Sequence, residues 1–264
     1  MYKRFGELKK IITALKIKNI LVSQPQPIDF EKSPYGEIAR KFNVNITFRK
    51  FFRIEGIPAK EFRKDRINPL DYTAVIFTSR NAVDHYFRIC KEMRIEVPET
   101  MKYFSISEST AYYLQKYVQF RKRKIFHSKE NYANLMELIK KHKAEKFLLP
   151  CSDIHKQEIP KMLQENKIQY KEAVIYRTLA ADLSDINLKN YDLLVFFSPS
   201  GIRSLFKNFP DYKQNDTAIG AFGSTTHKAV KDAELVLNIE APTKDAPSMT
   251  AAIELYLQAE CKKK

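Results

Sequence analysis

Asp71-Tyr-Thr-Ala-Val-Ile-Phe-Thr-Ser-Arg-Asn-Ala-Val83 is answered about 120 residues later by Tyr191-Asp-Leu-Leu-Val-Phe-Phe-Ser-Pro-Ser-Gly-Ile202. Each stretch is an apolar run of strand character that opens into a short hydroxyl-bearing turn where a helical pattern begins. The echo extends in both directions. Tyr103-Phe-Ser-Ile-Ser-Glu-Ser-Thr-Ala111 matches Ala218-Ile-Gly-Ala-Phe-Gly-Ser-Thr-Thr226, and Ser128-Lys-Glu130 matches Thr243-Lys-Asp245. Upstream, Asn19-Ile-Leu-Val-Ser23 matches Lys146-Phe-Leu-Leu-Pro150, and Phe52-Arg53 matches Tyr176-Arg177. Solenoid repeats run at roughly 20–50 residues, so a spacing this long predicts a duplicated domain.

Apolar strands are predicted at 19–23, 74–78, 103–106, 146–149, 193–197 and 218–222, most of them followed by amphipathic helices. Continuous apolar strands alternating with helices predict parallel sheets covered on both faces, an α/β fold of two similar lobes. The helical faces show in Ile202, Leu205, Phe206 and Phe209 after one turn, and in Val83, Tyr86, Phe87 and Cys90 after the other. Asn81, Thr110, Ser200 and Thr226 are read as helix N-caps. The extended segments 45–54 and 170–178 hold the same place in their halves and are expected to form a two-stranded β connector. A cleft between the lobes, faced by the hydroxyl-bearing turns, is the expected ligand site.

A chain of 264 residues with 44% hydrophobic content can bury a core in one or two ordinary domains. Forty-six Lys and Arg against 31 Asp and Glu give a formal charge of +15, which points to a nucleic acid, an anionic membrane surface or an anionic small molecule. Three cysteines without CxxC spacing, Cys90, Cys151 and Cys261, predict free thiols in a reducing compartment. Near the amino end, Phe5, Leu8, Ile11, Ile12 and Leu15 fall at helical spacing and predict a short amphipathic helix packed on the protein surface. Its apolar run of about five residues is too short for a secretory h-region or a membrane span, so a cytoplasmic protein is expected.

There is no GxGxxG, GxxxxGK[ST], HExxH or GxSxG, so dinucleotide, P-loop, zincin and serine-hydrolase chemistry lack their physical equipment. Six glycines offer few places to press the backbone against a pyrophosphate. The five histidines, His85, His127, His142, His155 and His227, show no ligand spacing, and no metal site is expected. What remains is a set of turns offering backbone N–H groups and hydroxyls to an anion: Thr78-Ser79, Ser107 to Thr110, Ser198 to Gly201 and Gly223 to Thr226. Any one of these residues could be a plain helix cap. Their recurrence in both halves weakens that reading, since capping does not require paired turn chemistry.

Phe77-Thr-Ser-Arg-Asn-Ala-Val83, Val174-Ile-Tyr-Arg-Thr178, Phe197-Ser-Pro-Ser-Gly201, Ile219-Gly-Ala-Phe-Gly-Ser-Thr-Thr226 and Ala241-Pro-Thr243, in this order, resemble the uroporphyrinogen-III synthase family from about Lys18 onward. Leu21-Val-Ser-Gln-Pro25 also fits. The resemblance implies a lyase of tetrapyrrole and heme biosynthesis that closes linear hydroxymethylbilane to uroporphyrinogen III, inverting the last ring and releasing water. It implies a cytoplasmic monomer that needs no metal or cofactor. It further implies one lobe from residues 1–46 plus 180–264, a second from 55–170, and connector strands at 47–54 and 171–179.

The implied partner is a small-molecule polycarboxylate, whose acetate and propionate groups suit a basic cleft lined by helix N-termini. By resemblance, Thr110, Ser198, Ser200 and Thr226 bind this substrate, with Thr78, Ser79, Ser107 and Gly223 as further candidates. Ser107 stands where the family usually has glycine. Tyr176 matches the family's cleft tyrosine, whose phenol would give a proton to the departing hydroxyl; the plain alternative is a packed strand aromatic, as expected for Phe52. Neither nucleic acid nor membrane is expected as partner. The basic run Arg121 to Lys124 reads as a solvated loop without an RNA or DNA module around it. A non-catalytic two-lobed binding protein for an anionic ligand is the alternative reading.

Overall fold

The computed structural model describes residues 17–121, 123–128 and 132–262. The helix expected over Phe5 to Leu15 lies outside the described residues, as do Lys122 of the basic run and Glu130 of the repeat. In chain order the elements are β1 (Asn19–Val22), α1 (Pro34–Phe42), β2 (Asn45–Phe48), β3 (Phe52–Gly56), α2 (Ala59–Phe62), β4 (Ala74–Phe77) and α3 (Arg80–Met93). They continue with β5 (Lys102–Ser105), α4 (Glu108–Tyr113), β6 (Ile125–His127), α5 (Tyr132–Lys140), β7 (Phe147–Ser152), α6 (Glu158–Glu165) and β8 (Tyr170–Ala180). The last are β9 (Leu193–Phe196), α7 (Pro199–Asn208), β10 (Ala218–Phe222), α8 (Ser224–Asp232), β11 (Ile239–Ala241) and α9 (Met249–Lys262).

The chain divides into two compact units, one formed by residues up to Arg53 together with those from Leu179 onward, the other by Ile54–Thr178. In the first unit a parallel sheet runs in the order β11-β10-β9-β1-β2. In the second the order is β3-β8-β7-β4-β5-β6, parallel from β8 to β6. β3 runs antiparallel to β8, since Ala181 N–H donates to Phe51 O and Ile57 N–H to Ile175 O.

Alternating side chains of the central strands feed cores on opposite faces of each sheet, which is why these strands read as unbroken apolar runs. Ile20, Val22, Leu193 and Val195 join one core of the first unit, while Leu21, Leu194 and Phe196 join the other. In the second unit Val75, Phe77 and Tyr103 face one core, and Ala74, Ile76 and Phe104 the other. Each such Val, Leu, Ile or Phe contributes about 1.5–3 kcal/mol of burial. Helix α3 presents Ala82, Val83, Tyr86, Ile89 and Cys90 to its core at helical spacing and ends at Arg94 in the left-handed region, φ 59°.

Two expectations are corrected. Segment 45–54 is not one strand: β2 pairs with β1, and the chain then breaks so that β3 can pair with β8. The break falls where Phe51, 1% exposed, turns in to pack edge-on against Phe196, while its carbonyl accepts from Ala181 N–H and the Ser204 hydroxyl. The paired extended strands are thus β3 and β8. The N-caps are Ser79, Ser107, Ser198 and Gly223, not Asn81, Thr110, Ser200 and Thr226, which lie within the first turns of their helices.

Candidate active site

In the second unit, chain order carries β4, β5 and β6 to one side and β7 and β8 to the other, so the order reverses between β4 and β7. Open parallel sheets bind ligands at the carboxyl ends of the strands flanking such a point. There lies a cavity of about 340 Å³, lined among others by Thr78 and Ser79 after β4, Ser152 at the end of β7, His155 and Lys156 beyond it, and Tyr176 from β8. Of the eight residues singled out with Tyr176, Thr78 and Ser79 therefore share its cavity.

Ser79 has two tasks. Its extended backbone, φ −162°, lets Oγ accept from Ala82 N–H at 3.1 Å and cap α3, and the same Oγ lies 3.4 Å from the Tyr176 hydroxyl. Tyr176 is only 7% exposed, and its ring stacks on His85 with centroids 5.0 Å apart. Burial raises its phenol above the ordinary tyrosine value against the opposing pull of the Ser79 contact, so the proton stays on at neutral pH. Burial also lowers His85, with the Arg88 guanidinium reinforcing it, which favours the neutral ring. Arg88 Nε donates to His85 Nδ1 at 3.1 Å, so the neutral ring carries its proton on Nε2. Arg88 is anchored through its other nitrogens on Ile57 O, Ile175 O and Glu92. The ring of Tyr176 is packed on His85, and the residue lines the cavity wall.

The Ser107 turn, at the end of β5, is closed on itself. Ser107 Oγ accepts from Thr110 N–H at 3.3 Å and lies 3.1 Å from both the Ser109 and Thr110 hydroxyls. Thr110 is 4% exposed.

In the first unit the corresponding turns follow the adjacent strands β9 and β10. Ser198 stands at the cap position of α7 without a side-chain capping bond, Pro199 opens the helix, and Ser200 Oγ accepts from Arg203 at 2.9 Å. Gly223 adopts φ 86°, its N–H donates to Ala241 O at 2.6 Å, and its carbonyl accepts from Thr226 and His227 N–H. Thr226 is 1% exposed. A larger cavity of about 810 Å³ lies at the amino ends of β9 and β10, away from these turns, with Asp192, Asp211 and Asp216 beside Lys189 and Lys213 on its wall.

Sequence reading missed Ser152, His155, Lys156 and the His85 stack. Pro150 hid the first three, because a proline argues for the end of a central strand. Here the ladder from β7 to β4 ends at Leu148, so the strand runs on through Pro150 paired with β8 alone. In the basic run, Arg121 pairs with Glu99 at 3.2 Å. Cys90, Cys151 and Cys261 are free thiols. Among the described residues no helix is long and apolar enough to cross a membrane.

A family model described as uroporphyrinogen-III synthase HemD matches residues 35–251. Over 126 residues, 41% of its length, the chain is 28% identical to the uroporphyrinogen-III synthase of Saccharomyces cerevisiae, and it spans 45% of the length of that relative. The fold is that of two solved structures. The uroporphyrinogen-III synthetase of Helicobacter pylori superposes with TM-score 0.57 at 19% identity, over 92% of this chain and 100% of the other. A mutant uroporphyrinogen III synthase of Thermus thermophilus gives 0.56 at 14%, over 92% and 99%. With most of its length matched by that model, the chain belongs to the uroporphyrinogen-III synthase HemD family.

Proposed function

We propose that this protein is a uroporphyrinogen-III synthase, a cytoplasmic monomeric lyase that cyclises hydroxymethylbilane, inverts its last pyrrole ring and releases water. The observation that carries this reading is a protonated, largely buried phenol, Tyr176, on the wall of a cavity at the strand-order reversal of a chain in this family. The phenol gives its proton to the departing hydroxyl, water leaves, and the electrophilic azafulvene is then attacked by the ring-substituted carbon of the last pyrrole. Ser79 and the His85 ring hold the phenol in place.

The substrate brings acetate and propionate groups that are ionised at neutral pH. Lys156 supplies positive charge at the cavity, and a net charge of +15 favours encounter with a polyanion. Thr78, Ser107, Thr110, Ser198, Ser200, Gly223 and Thr226, with the amides beside them, are assigned to carboxylate binding. Shared among many donors, this task makes catalysis largely a matter of positioning the terminal rings.

The test is to incubate the purified protein with fresh hydroxymethylbilane, oxidise the products, and separate the type III and type I isomers by chromatography. Type III formed in proportion to enzyme is expected, and Tyr176→Phe should lower kcat by about 10²-fold or more while leaving the fold intact. Type I alone from the folded parent would overturn the activity in favour of a binding protein. Unchanged kcat in Tyr176→Phe would remove only the proton-donor role.

A further inference from the structure

We propose that Cys151, His155 and Glu172 form a binding site for a thiophilic divalent cation of the zinc type. β7 and β8 are parallel neighbours in which Leu149 pairs with Glu172 and Cys151 with Val174, so the side chains of Cys151 and Glu172 leave the same face of the sheet. The loop after β7 brings His155 over them. One ligand atom from each residue lies within 4.8 Å of the other two.

The orientation of the histidine points to a cation. His155 Nδ1 is 2.8 Å from Ser152 O, a contact that keeps a proton on Nδ1 and turns Nε2 toward Glu172. Nε2 lies 2.9 Å from Glu172 Oε2, and Gln157 Nε2 also approaches it, at 3.1 Å. With Nε2 protonated this contact is an ion pair, and a divalent cation would take the place of the proton held between the two side chains. A backbone carbonyl holding Nδ1–H is also how metal-ligating histidines are usually oriented.

Zinc bonds of about 2.0–2.3 Å in tetrahedral geometry set neighbouring ligand atoms about 3.5 Å apart. From the present arrangement this needs side-chain movements on the order of 1 Å, and Glu172 and His155, 32% and 19% exposed in their side chains, have room to make them. Binding replaces the thiol proton of Cys151 and any proton held between His155 and Glu172, so at least one proton is released for each cation held. A sulfur, nitrogen and oxygen donor set selects zinc-like ions over magnesium or calcium. His155 and Cys151 also line the 340 Å³ cavity, which leaves a fourth coordination position for water. The site stands whether or not the protein cyclises hydroxymethylbilane.

The test uses the reduced, chelator-treated full chain carrying Cys261→Ser, which removes the partly exposed thiol; Cys90, 2% exposed in the core, stays. Cadmium is titrated as a spectroscopic stand-in, and the ultraviolet thiolate-to-cadmium charge-transfer band should saturate at one cation per chain and be displaced by zinc. Cys151→Ala should abolish the band. Because that change could disturb the core, the half-exposed positions give a second reading: His155→Gln and Glu172→Gln should each weaken zinc affinity at least about tenfold in competition with a chromophoric chelator. No saturable band, a band that survives Cys151→Ala, or parental affinity in both glutamine variants would overturn the proposal.

Discussion

The turns after β5 and β10 open equivalent helices and both place a buried threonine at the third helical position, yet they are built in opposite ways. In the first, Ser107 keeps an extended backbone, φ −145°, and closes the turn with its side chain, which accepts from Thr110 N–H. In the second, Gly223 takes φ 86° and its carbonyl accepts from Thr226 N–H in place of a hydroxyl. An added Cβ at Gly223 would have no heavy atom within 4 Å. A ligand reaching the Ser107 turn meets a hydroxyl engaged by its neighbours; one reaching Gly223 meets no side chain, and the glycine's own N–H and carbonyl are engaged with the backbone. The turns after β4 and β9 diverge similarly, since the Ser79 side chain accepts from Ala82 N–H and the Ser198 side chain makes no capping bond. Duplication keeps the place of a turn in the sheet, while each half settles its donors and acceptors by itself.

The contrast is broken most forcefully at Gly223. Open space around it means that Gly223→Ala should lose stability through backbone strain alone, by about 1–3 kcal/mol in urea unfolding. Parental stability there would show that its φ is relaxed without glycine. Ser79→Ala comes next, with a loss of about 1 kcal/mol for the cap. It also removes the hydroxyl beside Tyr176, so type III formation should fall in the same variant. Ser107→Ala tests the other half: about 0.5–1 kcal/mol should go with its cap, whereas Ser107→Gly, which copies the second-half residue, should lose only a few tenths. Parental stability in Ser107→Ala would show that the hydroxyl is idle. Ser198→Ala should change stability by less than about 0.5 kcal/mol, having no capping bond to lose; a loss matching that of Ser79→Ala would erase the distinction.

The central strands were legible because burial on both faces leaves no polar position in them, and the helical faces because α3 and α7 each lean on one core. Helix starts were misplaced by two or three residues. Each turn holds several side chains able to cap, and only backbone geometry chooses Ser79 over Asn81 or Ser107 over Thr110. β6 and β11 were missed: at three residues each, on sheet edges, they are too short for a periodic signal. The candidate site was legible at Thr78, Ser79 and Tyr176, where hydroxyls follow or interrupt apolar runs, and opaque beyond Pro150.

The sequence by itself determined that this is an α/β protein of two related halves, because alternating apolar strands and amphipathic helices can bury their faces only in covered parallel sheets. It also determined that hydroxyl-rich turns follow those strands. The tertiary structure alone decided that β1 lies between β9 and β2, that β3 turns to pair with β8, and that Tyr176 meets His85 and Ser79 while Cys151, His155 and Glu172 converge. The reason is physical: periodicity records which face of an element is buried, whereas the neighbours a side chain meets depend on strand order and register, which join residues far apart in the chain and leave no local pattern.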